Sequence, residues 1–305
     1  MTKKRNGLFE VYRLILSFMP LYYHEFFFIE RNYEIFEIPE MVIDFFFMIS
    51  GFFLMSSMRK LKEEKLFTGM GKIMFGRVKP MIVTLALITV FDLISMIFFI
   101  KGEYIDILFE LFKYWWYVLY LVVGIGLLYL VYRVLKSEKL FCIFLVLLAI
   151  GMAHLNYSVI YLEKLDIVWV FVSRAFGGLS AGILVSYIPK INFKKFNPSF
   201  LFVIVLVPAL LYLQYNDKTF LISAVMIAMF AALMYFSSHI SIGGAVFDFI
   251  GMLSVRMYLY MAFLTALRYF GITENKMLFS IDIAVSLIDT TITYCVLKLK
   301  KTKKA

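Results

Sequence analysis

The feature that most constrains the fold is a series of long apolar stretches that fill most of the 305-residue chain. A helix needs about 20 residues to cross the roughly 30 Å hydrocarbon core of a bilayer. Each stretch is predicted to be a helix, because backbone groups in lipid must form their hydrogen bonds within the protein. We predict ten spans, at residues 8–29, 38–58, 80–100, 115–132, 140–155, 167–188, 199–213, 219–236, 253–270 and 278–297.

Composition and charge agree with a polytopic, all-α transmembrane bundle. Apolar residues make up 63% of the chain and charged residues 17%, against about 25% charged residues in soluble domains. This excludes a soluble enzyme, a disordered protein and a disulfide scaffold. The sequence predicts one transmembrane domain over residues 1–305 with no separate soluble domain.

The distribution of cations predicts the orientation. With the N-terminus inside, 21 of the 31 Lys and Arg residues fall in loops and tails on that side and six on the other. Cytoplasmic loops are enriched in Lys and Arg, so both termini are predicted to be cytoplasmic in a multi-pass protein of the cell membrane. The net charge of +10 then reflects topology and predicts contact with the lipid bilayer rather than with nucleic acid.

The first span carries four ionisable side chains, which are costly in lipid and usually face the bundle interior. They are Glu10, Arg13, His24 and Glu25. Eleven residues make three helical turns plus about 20°, so Arg13 and His24 are predicted to face the same way, about 16 Å apart. Glu10 lies one turn before Arg13, within reach of an ion pair. A guanidinium suits an anion such as a phosphate, and an imidazole suits proton abstraction from a hydroxyl. A purely structural role for these residues is the alternative.

The second span places Asp44 at a depth similar to that of His24, since a short loop joins the two antiparallel helices. Asp44 is therefore a candidate to orient the imidazole, as carboxylates do in catalytic triads. Arg174 enters the sixth span at the same outer depth. It is predicted to line the same cavity or to pair with Asp44 or Asp282, and Glu25 is a further cavity candidate.

Residues 59–79 are predicted to form a basic cytoplasmic loop, in which Arg77 and Lys79 precede Pro80 at the start of the third span. Two cations at this position could hold phosphates at the membrane face. The alternative is an ordinary topology signal.

Other polar and small residues have simpler interpretations. Arg256 and Arg268 are expected to snorkel toward the membrane faces. Asp289 precedes two threonines whose hydroxyls could satisfy it locally. Gly178 and Gly182 form a small-xxx-small pattern that predicts close helix packing. No motif for a metal or a nucleotide cofactor is present, so no permanently bound cofactor and no metal are predicted.

Several of these segments resemble those of the acyltransferase family 3 membrane proteins. Those proteins carry, in the first helix, an arginine, ten residues and a histidine, which Arg13 and His24 match. The second helix matches as well, with Asp44-Phe-Phe and Ser50-Gly51-Phe-Phe-Leu. Looser matches follow in the same order along the chain: Arg77-Val-Lys79 in place of Arg-x-Arg, Trp116-Tyr, and Gly251-Met-Leu-Ser254 with Tyr258-Leu259. A histidine that many members carry after the Tyr-Leu pair is replaced here by Tyr260 and Met261.

The resemblance implies a bacterial membrane O-acyltransferase. The donor would be a cytoplasmic acyl-CoA, with acetyl-CoA expected, and the acceptor a sugar hydroxyl of a surface polysaccharide or a lipid-linked sugar. Arg13, Glu10, Arg77 and Lys79 would form the donor site. His24 would act as general base or as a transient acyl carrier.

A secondary transporter or flippase that uses the buried charges for proton or substrate coupling is the alternative function. Transporters commonly show inverted repeats and broken helices, and neither is evident in this sequence.

Overall fold

The computed structural model describes residues 6–26, 37–99, 104–160, 168–189, 219–239, 242–267, 271–272 and 274–302. Within those ranges the chain is helical and contains no strand. The helices are α1 Gly7–Phe26, α2 Glu37–Lys60, α3 Leu66–Val78, α4 Ile82–Phe99, α5 Tyr104–Leu135, α6 Glu138–Ile160, α7 Val168–Tyr187, α8 Thr219–Ser237, α9 Ala245–Leu267 and α10 Asn275–Thr302.

The all-α prediction is therefore confirmed for this part of the chain. Nine of the ten predicted stretches coincide with a helix, and the stretch at 199–213 lies outside the described residues. Among the residues described, five helices are long and apolar enough to cross a membrane, or six if α3 and α4 are counted as one span. The five stretches are Val42–Lys60, Trp115–Leu135, Glu138–Leu155, Val168–Tyr187 and Asn275–Leu299.

The prediction of a loop at residues 59–79 was wrong. The helix α2 continues to Lys60, and α3 then covers Leu66–Val78. The lysines in this stretch suggested a loop because charge opposes a membrane span. They do not oppose a helix that has one side on the protein and the other exposed.

The chain divides into two compact units, each assembled from separate stretches of sequence. Unit 1 comprises Met1–Pro39, Met81–Tyr114 and Ser241–Ala305, and unit 2 comprises Glu40–Pro80 and Trp115–Ile240. The prediction of a single domain over residues 1–305 stays a prediction.

Unit 1 is organised around α9, which packs against α1, α4 and α10. Its apolar core includes Leu21 of α1, Leu253 and Met257 of α9 and Leu278 of α10, all almost fully buried. The start of α1 is joined to the segment before α9 by a hydrogen bond from the Gly7 amide to the Ile242 carbonyl at 2.6 Å. The helix α1, from the start of the sequence, is thus packed against α9, from near the end of the sequence.

Unit 2 is built on α2, which is apolar and buried nearly all round. Close contact with α7 depends on glycines: a Cβ at Gly178 would lie 2.7 Å from the Phe47 Cβ, and one at Gly182 would overlap the Met48 carbonyl oxygen. A Cβ at Gly51 would likewise overlap the Leu179 carbonyl oxygen. The prediction of helix packing at Gly178 and Gly182 is confirmed.

Candidate functional site

The Glu10–Arg13 pair of α1 forms as its spacing predicts. Arg13 donates from Nη1 to Glu10 Oε2 at 3.0 Å, and the two side chains are 21% and 8% exposed, respectively. Within the described residues, Glu10 Oε2 is the one acceptor that the Arg13 guanidinium contacts. An arginine carries five N–H donors, so this contact leaves others for a ligand. A partly buried guanidinium of this kind can receive an anion without losing its carboxylate partner.

Gly251 of α9 provides the space for the Glu10 carboxylate. A Cβ at position 251 would lie 2.6 Å from Glu10 Cδ and still closer to Oε2. The carboxylate therefore rests against the backbone of α9. Sequence analysis identified Gly251 only through the family resemblance; that it contacts Glu10 is visible only in three dimensions.

His24 and Glu25 belong to the last turn of α1, whose helical backbone runs from Gly7 to Phe26. Their side chains lie outside the described residues. The continuous helix places residues 13 and 24 at register positions about 20° apart. Pro20 interrupts the backbone hydrogen bonds one turn before His24, because proline has no N–H to donate.

A second polar group in unit 1, here called the Asp289 cluster, joins α4, α9 and α10. Thr84 donates to Asp289 Oδ2 at 2.8 Å, and Tyr260 donates to the same oxygen at 3.1 Å. Arg256 Nε lies 2.9 Å from Oδ2 in an ion pair. Thr293 donates to Oδ1 at 3.1 Å and accepts from Arg256 Nη2 at 2.9 Å.

The Asp289 cluster corrects two predictions. Arg256 does not snorkel: its side chain is only 5% exposed and it pairs with Asp289. The adjacent threonines do not satisfy Asp289 either, because Thr290 and Thr291 donate to the carbonyls of Ser286 and Leu287 on their own helix. Arg268 lies outside the described residues.

Asp282 lies two turns before Asp289 on the same side of α10. It is fully buried and accepts a hydrogen bond from Ser286 at 3.1 Å. Polar residues at positions 282, 286, 289 and 293 therefore form a stripe along α10, buried at 282 and 286 and half-buried at 289 and 293. An i, i+4 or i, i+7 spacing could have indicated this stripe.

Asp44 and Arg174 both belong to unit 2. Asp44 is half-buried on α2, and its carbonyl oxygen lies 3.1 Å from the Cβ position of Gly178. Arg174 is buried one turn before Gly178 on α7, on the side of that helix that faces α2. The prediction that Asp44 orients His24, which belongs to unit 1, stays a prediction.

Arg77 and Lys79 are not brought together as a phosphate clamp. The helical conformation continues through Lys79, whose φ and ψ are −45° and −44°. Two residues correspond to about 200° around a helix, so the two side chains leave α3 in nearly opposite directions. Arg77 is half-buried and Lys79 is exposed.

One ion pair and several hydrogen bonds from an arginine join the helices of unit 2 near its basic segment. Arg59 binds Glu138 through Nε and Nη2, at 3.0 and 2.7 Å. Arg133 donates from Nη1 to the Glu64 carbonyl at 2.7 Å and to the Tyr129 hydroxyl at 2.8 Å. These contacts fix the short segment that connects α2 to α3.

Within the part of the chain that the structure describes, no group of three or more His, Cys, Asp or Glu residues is placed to hold a metal ion. Comparisons with protein-family models, with curated proteins and with solved structures found no match. The resemblance to acyltransferase family 3 therefore rests on the motif residues of the sequence.

Proposed function

We propose that the protein is a membrane O-acyltransferase that transfers an acyl group, expected to be acetyl, from cytoplasmic acyl-CoA to a sugar hydroxyl. The acceptor is a surface polysaccharide or a lipid-linked sugar. In this proposal the chain crosses the cell membrane ten times, with both termini in the cytoplasm. The observation that carries it is the partly buried Glu10–Arg13 pair on a helix that continues to His24.

Binding of the acyl-CoA donor is assigned to Arg13, with Glu10 holding the guanidinium. The pair supports this role because Glu10 uses one side of the guanidinium, and the remaining N–H groups suit a phosphate or carbonyl oxygen. Arg77 and Lys79 are proposed as separate cations for the CoA phosphates, since they lie on different sides of α3.

Acyl transfer is assigned to His24. As general base it takes the proton of the acceptor hydroxyl while that oxygen attacks the thioester carbonyl, and the CoA thiolate leaves with both electrons of the carbon–sulfur bond. As acyl carrier it attacks the thioester itself and passes the acyl group on. Glu25, one residue after His24, is proposed to line the cavity in which the acyl group moves.

The test is transfer of labelled acetyl from acetyl-CoA to glycan by the purified protein in vesicles. His24→Ala and Arg13→Ala should each lower transfer at least about a hundredfold, whereas the control variants His154→Ala and Arg59→Ala should retain it. Retained transfer in both test variants would place the reaction elsewhere. Label trapped on wild-type protein and absent from His24→Ala would identify the acyl carrier.

A secondary transporter is the second candidate, and the Asp289 cluster favours it. Buried ionisable residues in membrane helices often mark proton or ion pathways, and acyl transfer assigns no role to this cluster. Proton or sugar flux into vesicles that persists in His24→Ala and stops in Asp289→Asn, without acetyl transfer by wild type, would support transport.

A further inference from the structure

The helix α3 has one side on the protein and one side exposed. Gly69 and Ile73 are buried, and a Cβ at Gly69 would overlap the Tyr129 hydroxyl of α5. On the outer side, Phe67 and Phe75 are 75% and 58% exposed. Two large aromatic side chains are therefore exposed on a helix whose opposite side is buried at Gly69 and Ile73.

Exposed lysines lie beside the two aromatic side chains. At about 100° per residue, Phe67 and Phe75 occupy adjoining positions, about 80° apart. Lys79 and Lys72 follow at about 40° and 60° beyond Phe75, and both are exposed. Lys72 forms an ion pair with Glu64 at 2.6 Å, but its side chain is still 52% exposed. The outer side of α3 is thus divided into an aromatic edge and a cationic edge.

We propose that α3 is a docking helix for anionic lipid, with Phe67 and Phe75 inserted at the boundary of headgroups and acyl chains and Lys72 and Lys79 bound to lipid phosphates. Helices that lie in a membrane interface combine an apolar edge with Lys or Arg. Cations near such a surface attract anionic lipid. The positive charges of Lys72 and Lys79 complement the negative charge of lipid phosphates, and this favours anionic lipid as the partner of the exposed side of α3. Lys79 can bind a lipid phosphate whenever no acyl-CoA is bound, so the proposal does not depend on acyl transfer.

The lysines also suggest how strongly lipid is selected. Each lysine at an anionic surface contributes a local enrichment of about fivefold. Lys72 is partly neutralised by Glu64, so we expect Lys79 to provide most of the selection. An enrichment of about fivefold for anionic over neutral lipid next to Phe67 is the expected result.

The experiment places a polarity-sensitive fluorophore at position 67 of the full chain. Phe67→Cys is made in a Cys142→Ser, Cys295→Ser background and labelled with the fluorophore. The protein is reconstituted, without acyl-CoA, in vesicles of equal parts phosphatidylglycerol and phosphatidylcholine. Acyl chains are brominated near the headgroup on one lipid or the other. Quenching by brominated phosphatidylglycerol should exceed quenching by brominated phosphatidylcholine about fivefold.

A charge-matched pair of variants tests the cationic edge. Lys72→Gln with Lys79→Gln should bring the quenching ratio close to one, whereas Lys136→Gln with Lys139→Gln, exposed at the α5–α6 turn, should preserve it. Gel filtration checks that both variants remain folded. Equal quenching by the two lipids in the parent protein, no quenching by either, or the same loss in both lysine variants would each overturn the proposal.

Discussion

Replacement of Arg256 by Met should destabilise unit 1 far more than loss of an ordinary ion pair. Arg256 and Asp289 have side chains that are 5% and 11% exposed, so the substitution leaves a carboxylate buried without its cation. Removing one partner of a buried pair costs about 3–5 kcal/mol. Thr84, Tyr260 and Thr293 still donate to Asp289, so we expect the lower end, about 3 kcal/mol.

The matched control is Arg59→Met. Arg59 pairs with Glu138 at 2.7 Å, and these side chains are 48% and 42% exposed. Exposed pairs contribute about 0.2–1 kcal/mol. The same substitution therefore compares two arginine–carboxylate pairs that differ in burial, and the exposed pair is the one joined at two points.

The assay is the midpoint of thermal unfolding in detergent, followed by the monomer peak on gel filtration. At about 2 °C per kcal/mol for a chain of this size, Arg256→Met should lower the midpoint by about 6 °C and Arg59→Met by about 2 °C or less. Adding Asp289→Asn to Arg256→Met removes the orphaned charge and should recover part of the loss. Equal losses for the two arginines, or no recovery in the double variant, would refute the assignment of stability to the buried pair.

Three further predictions concern the glycines and the α3 cations. Gly251→Ala should displace the Glu10 carboxylate and raise the KM for acetyl-CoA at least about tenfold. The control Gly151→Ala, whose added Cβ meets open space, should leave the KM unchanged. Equal KM values for the two variants would contradict the contact between Glu10 and Gly251. Gly182→Ala should destabilise unit 2 by about 1–3 kcal/mol, because its Cβ meets the Met48 backbone, and stability equal to that of Gly151→Ala would argue against close packing there. Arg77→Ala and Lys79→Ala should each weaken the apparent affinity for acetyl-CoA, and the two effects should multiply in the double variant. A tenfold departure from that product would indicate that both cations bind the same phosphate and would contradict separate roles.

The segments of regular structure follow from local properties of the chain. Apolar stretches of about 20 residues predict helices because no other open backbone arrangement is satisfied in lipid. Glu10 and Arg13 are three residues apart, a spacing at which side chains on a helix are neighbours. Gly178 and Gly182 follow a spacing that aligns small residues along one side. Each of these features depends on residues within one helix, so sequence periodicity was sufficient.

The Asp289 cluster could not be predicted in the same way. Arg256 is 33 positions before Asp289, on another helix, and Thr84 is much farther away along the chain. Nothing in the local sequence around Arg256 distinguishes a snorkelling arginine from a paired one. The difference depends on which helix covers that side of α9, and hence on tertiary packing.

The amino-acid sequence by itself determined that this chain forms apolar helices, that Glu10 pairs with Arg13 and that small residues bring helices close, since these follow from composition and from spacing within single helices. Tertiary structure alone decided that the Glu10 carboxylate packs against Gly251 and that α3 exposes two phenylalanines beside lysines. It also decided that Asp289 binds Arg256, Tyr260 and Thr84. The physical reason is that burial and ion pairing depend on the distance between helices, which the order of residues along one helix does not specify.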